Sequence, residues 1–137
     1  QNSDYMGGHL IIFHPEGKRF AEVKGFTKFP NPVPVPGTAY FHSYHRSGCA
    51  DLNWTSDLFE IIADSTVWHG HLFGHGCEYG PTPSIKMFRV DPSLPKDQWH
   101  RIDSLPMDSA WTTAGGKWDF IARYWANNFD RFILRTR

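Results

Sequence analysis

Apolar and polar residues alternate over short runs along most of this chain, and turn-forming residues separate the runs. His9 to His14 reads HLIIFH and Phe20 to Lys24 reads FAEVK, with Pro15-Glu16-Gly17-Lys18 between them. Two alternating runs around such a turn predict a β-hairpin. Phe29 to Gly37 (FPNPVPVPG) holds four prolines in nine residues. Proline supplies no N–H to a ladder, so this stretch predicts an extended connection at an edge or end of the fold.

Thr38 to His45 sets Tyr40, His42 and Tyr44 against Phe41, Ser43 and His45, as a strand with two unlike faces would. Ser56 to Asp64 (SDLFEIIAD) places Leu58, Ile61 and Ile62 at helical spacing. Its β-branched content and the apolar run after it favour a strand continuing through Phe73. Ile85 to Val90 alternates as a half-buried strand, Gln98 to Ile102 predicts a short one, and Ser104 to Gly116 predicts a polar loop carrying Trp111. Lys117 to Trp125 and Phe129 to Thr136 predict two aromatic-rich strands joined across Ala126-Asn127-Asn128.

Eight or nine strands with no long helix predict an all-β fold, an antiparallel β-sandwich or jelly roll, with a barrel as the alternative. At 137 residues with no repeat or linker the chain is read as a single β-rich domain, 1–137. Its first residue is Gln1, which is read as the start of a piece excised or processed from a longer chain.

Charge narrows the partners. The chain carries 14 basic and 14 acidic residues, so no net field draws it to a polyanion or an anionic membrane. No nucleic acid partner is expected, and no apolar run approaches the ~20 residues that span a bilayer. Cys49 and Cys77 each adjoin a glycine. They are either two buried thiols or a disulfide, whose loop closure would contribute roughly 3 to 4 kcal/mol. With the acceptor triplet Asn53-Trp54-Thr55 for N-glycosylation, they point to an extracellular or virion-surface setting.

Two patterns carry candidate chemistry. In Trp68-His69-Gly70-His71-Leu72-Phe73-Gly74-His75-Gly76-Cys77-Glu78 an unbroken extended chain turns His69, His71 and His75 to one face. Imidazoles at i and i+2 can reach one transition metal ion, Zn or Fe, with Cys77 or Glu78 as further donors. The other reading is histidines that hydrogen-bond around a glycine-rich turn. His69-Gly70-His71 resembles the paired histidines of cupins, although Glu78 stands seven positions after His71 and no second cupin motif follows. The pair also resembles those of trimeric phage fibres and spikes, which implies three chains sharing an axial iron. His42 and His45, with Arg46 or Glu60, are candidates for acid–base work. Local signatures of hydrolases, zincins and phosphate loops are absent.

The second pattern is aromatic. Trp54 follows Asp51 and Asn53, Trp111 lies in a loop, and Trp125 precedes Asn127 and Asn128. Loop rings beside amides and carboxylates suit a sugar face and its hydroxyls, although tryptophans as often fill a core. The leading expectation is a non-catalytic recognition domain binding a glycan or a cell-surface protein through Trp54, Trp111, Asp51, Asn53, Asn127 and Asn128, as a homo-oligomer, a trimer among the options. The competing expectation is a small β-barrel metalloenzyme built on His69 and His71.

Overall fold

The computed structural model describes residues 8–77 and 80–134. The expected N-terminal hairpin forms: β1 (Ile11–His14) pairs antiparallel with β2 (Arg19–Glu22), with Phe13 opposite Phe20. All other strands belong to one antiparallel sheet. They are β3 (Val33–Pro34), β4 (Tyr40–His42), β5 (His45–Gly48), β6 (Asn53–Ile62), β7 (Ser65–His75), β8 (Ser84–Arg89) and β9 (His100–Pro106). The order across the sheet is β3-β4-β6-β7-β8-β9, and β5 also pairs with β6. The mostly β, antiparallel class expected from the sequence therefore holds, and the sheet does not close into a barrel.

The run read as one strand from Ser56 through Phe73 is a hairpin. Ala63 and Asp64 both adopt positive φ, 51° and 63°, between Ile62 and Ser65, which face each other. Two consecutive positive φ values give the two-residue reversal that matches strand twist. Asp64 is a residue that tolerates this conformation but Ala63 is not, so the turn signal in the sequence is weak.

The second departure is larger. Lys117 to Trp125 is not a strand. Gly116–Asn128 forms a helix, α2, and Asp108–Trp111 a single turn, α1. Phe120, Ile121, Tyr124 and Trp125 are buried, a spacing that marks one helical face. Ala126, Asn127 and Asn128 are its last residues, not a hairpin tip, and Phe129–Arg131 continues as a 3-10 turn. The remainder of the predicted last strand, 135–136, lies outside the described residues.

The two faces of the sheet are covered differently. Even positions of β6 (Trp54, Ser56, Leu58) and their neighbours Leu72, Ile85 and Met87 pack beneath Ile121, Trp125 and Phe132 from the helical segment. Each such large side chain contributes about 2 to 3 kcal/mol by leaving water. The Trp125 indole also donates to Ser56 Oγ at 2.9 Å, so the one polar atom of its ring is satisfied. On the opposite face Phe59 stacks on Phe29 at 4.2 Å and joins Val23, Phe26, Ile12 and Ile61 under the β1–β2 hairpin. That hairpin sits by the β6–β7 turn, where His14 meets Asp64 and Lys24 bridges to Ser65. The part of this face formed by Thr55, His71, Phe73 and Phe88 stays open.

Cys49 and Cys77 are joined in a disulfide, the bonded alternative of the two. It ties the loop before β6 to the segment leaving β7. Among the described residues no helix is long and apolar enough to cross a membrane.

Candidate functional site

At the disulfide-bearing end, residues 49–51 all take positive φ after Gly48. This sharp loop carries Asp51 toward α2, where Lys117 donates to its Oδ2 at 2.9 Å and to its backbone carbonyl at 2.8 Å. The Tyr44 hydroxyl donates to Asp51 Oδ1. The Lys117 ammonium also lies 5.1, 5.7 and 5.8 Å from the ring centroids of Tyr44, Trp118 and Trp54, within cation–π range. Two hollows meet at this cluster. One of about 420 Å³ is walled by Tyr44 and Trp118 with Asn31, His42, Arg46 and Asp51; the other, of about 380 Å³, is bordered by Trp111, Asp51 and Lys117. Trp111 and Trp118 are 53% and 54% exposed, so each hollow has one indole open to solvent.

The expected ligand residues thus divide. Asp51, Trp54 and Trp111 border one hollow. Trp54, however, is a strand residue only 1% exposed, its ring pressed on Gly74, and is a core residue in place of the expected loop platform. Asn53 Oδ1 accepts from the backbone N–H groups of Gly76 and Cys77, at 3.0 and 3.2 Å. Its amide therefore holds the strand ends together, and its role is structural. Asn127 and Asn128 sit at the far end of α2, where Asn128 donates to the Tyr124 carbonyl and accepts from Arg131. They are not brought near Trp111. Trp118 was not singled out from the sequence; on the helix it stands three residues before Ile121 and seven before Trp125, so it borders the buried face, and it is exposed because it lies in the first turn, against Tyr44 at the edge of the sheet.

The histidine strand is rearranged by a bulge. Leu58 pairs with Gly70 and Phe59 with Trp68, which leaves His69 as the extra residue of β7. The bulge resets the alternation, so His69 and His71 look to opposite faces. His69 Nε2 meets Glu60 Oε2 at 2.6 Å beside Tyr40, on the helix-covered side. His71 Nδ1 meets Asp57 Oδ1 at 2.7 Å on the open side. The common metal-binding face expected for His69, His71 and His75 is therefore not formed, and among the described residues no group of three or more donors is placed to hold a metal. Glu78, the further donor considered, lies outside the described residues. The intervening glycines serve packing: a Cβ on Gly70 would stand 2.9 Å from the Trp125 ring, and one on Gly74 2.5 Å from the Trp54 ring.

His71 borders a third and larger cavity of about 810 Å³ on the open face, with Ser47, Thr55, Phe73, Phe88, Lys96 and Asp97. Trp99, which follows the 3-10 turn Lys96–Gln98, packs edge-on against two rings of this face, 5.8 Å from that of His71 and 5.1 Å from that of Trp68. Of the acid–base candidates, His42 is buried, and that burial lowers its pKa to about 4, so it is neutral above mild acid. His45 and Arg46 lie on β5, while Glu60 is engaged by His69.

Comparison of the chain with protein-family models, with curated proteins and with solved structures yields no match.

Proposed function

We propose that this domain is a non-catalytic recognition module of a secreted or virion-surface protein, and that it binds a glycan at its disulfide-bearing end. The observation that carries the reading is the pair of hollows sharing Asp51, each with one exposed indole, Trp118 in one and Trp111 in the other. An indole offers a flat apolar face to the C–H side of a sugar ring, while the amide, carboxylate and guanidinium of Asn31, Asp51 and Arg46 suit its hydroxyls. Two such hollows side by side suit two consecutive sugars. The Lys117–Asp51 pair and the disulfide hold the loop in place before a ligand arrives, which reduces the ordering cost of binding. The disulfide also suits an oxidising compartment.

A glycan array probed with the wild-type domain and with Trp111→Ala and Trp118→Ala tests this. Binding of a defined oligosaccharide, weakened about tenfold by each substitution, is the expected result, since one lost ring contact is worth about 1 kcal/mol or somewhat more. Equal binding by all three proteins would remove the site from this end, and no glycan binding at all would remove the glycan.

A further inference from the structure

The cavity on the open face of the sheet lies apart from the two hollows just described and shares no lining residue with them. Phe73 and Phe88 give it apolar wall, and Ser47, Thr55, Lys96, Asp97 and the His71 imidazole bring polar groups to it. Asp57 fixes which ring nitrogen of that imidazole is engaged and which is left to the cavity. Asp57 Oδ1 lies 2.7 Å from His71 Nδ1 and accepts from the Trp68 indole N–H at 2.9 Å. An ionised carboxylate only accepts hydrogen bonds, so Nδ1 must carry the proton. In the neutral ring Nε2 then has none, and it presents a lone pair as an acceptor. The imidazole is held in that orientation by edge contacts with Trp68 and Trp99, at 6.1 and 5.8 Å. Asp57, His71 and Trp68 thus form one oriented unit, of which the cavity meets His71.

We infer that this cavity is a second binding site, for a neutral, largely apolar ring compound that donates a hydroxyl to Nε2 of His71, with Asp57 as the positioning residue that selects the accepting tautomer. The ring skeleton lies against Phe73 and Phe88. A carboxylate ligand would meet a lone pair instead of a donor at His71, with the Asp57 charge behind it. An ammonium would give up its hydration among phenyl rings. Lys96 and Asp97 stand together at the rim with opposite charges, so neither sign of ligand is favoured there.

Phenol and anisole share a ring and differ in the donor, which makes them suitable probes, with benzoate as the anionic control. In backbone amide and methyl NMR titrations of the whole domain, phenol is expected to shift Thr55, His71, Phe73 and Phe88, with anisole and benzoate at least tenfold weaker. The His71 ring nitrogens, read by 15N shifts without any ligand, are expected to show Nδ1 protonated and Nε2 bare. Asp57→Asn frees the tautomer and is expected to remove the preference for phenol over anisole; Trp111→Ala and Trp118→Ala leave the preference intact. Equal affinity for phenol and anisole, shifts confined to other surfaces, or a protonated Nε2 in the wild type would each overturn the inference. Should Asp57→Asn fail to fold, the wild-type nitrogen shifts and the phenol-to-anisole ratio still decide it.

Discussion

His42 shows how one buried side chain sets a pH limit on the fold. It is 7% exposed on β4, and loss of hydration holds its pKa at about 4, against 6.5 for the free side chain. The folded pKa lies below the unfolded one, so the unfolded chain takes up the proton first as the solution is acidified. His42 therefore costs nothing above about pH 6.5, and its penalty grows as pH falls to about 4, reaching about 3 kcal/mol. Urea denaturation of the wild type and His42→Gln at pH 7 and pH 4 checks this. The wild type is expected to lose about 3 kcal/mol more than the variant on acidification. Nothing in the sequence distinguishes His42 from the other histidines, because burial depends on the Val33–Pro34 edge strand and on α2 closing around it.

Between elements, the glycines of β7 decide how closely the rings can approach the sheet. Gly74 faces Trp54 across the ladder, and a methyl group there would sit 2.5 Å from a fully buried indole that has no room to withdraw. Gly74→Ala is expected to destabilise the domain by about 2 kcal/mol, read from its denaturation midpoint. An unchanged midpoint would show that Trp54 is free to shift. The glycines were legible in the sequence as unobstructed positions, but what they admit is protein and not ligand. β8 was likewise legible by its alternation, whereas β6 and β7 read as one strand, and β9 runs on through Pro106 into what read as the start of a polar loop from Ser104. The break at Ala63-Asp64 was obscured, because one of its two positive φ values falls on an alanine, which rarely adopts it. The helix α2 was masked by composition. Trp118, Phe120, Tyr124 and Trp125 raise β propensity, yet the buried residues Phe120, Ile121, Tyr124 and Trp125 follow a 3.6-residue period. Reading period before propensity would have placed the helix, although Trp118, three residues before Ile121 and seven before Trp125, borders its buried face and is not distinguished by period. The bulge at His69 has no sequence signal, and it alone separated two histidines that simple alternation put together.

At the scale of the whole molecule, the Cys49–Cys77 bridge joins the loop that carries Asp51 to the strand that carries His71. In the chain-entropy view, closing a loop across a separation of 28 residues contributes about 3.5 kcal/mol. The double variant Cys49→Ser, Cys77→Ser is expected to lose about that much stability at pH 7. It is also expected to bind glycan more weakly, because the three residues with positive φ then lose their covalent tie and keep only hydrogen bonds and an ion pair, from Lys117 and Tyr44 to Asp51, for their position. The central claim is that the disulfide-bearing end reads a glycan with two exposed indoles. It is tested most directly by following the indole N–H signals of the six tryptophans while the oligosaccharide selected on the array is added. Trp111 and Trp118 are expected to shift together and saturably, while Trp125, whose indole is bonded to Ser56, does not move. Saturable binding that leaves Trp111 and Trp118 unmoved would contradict it.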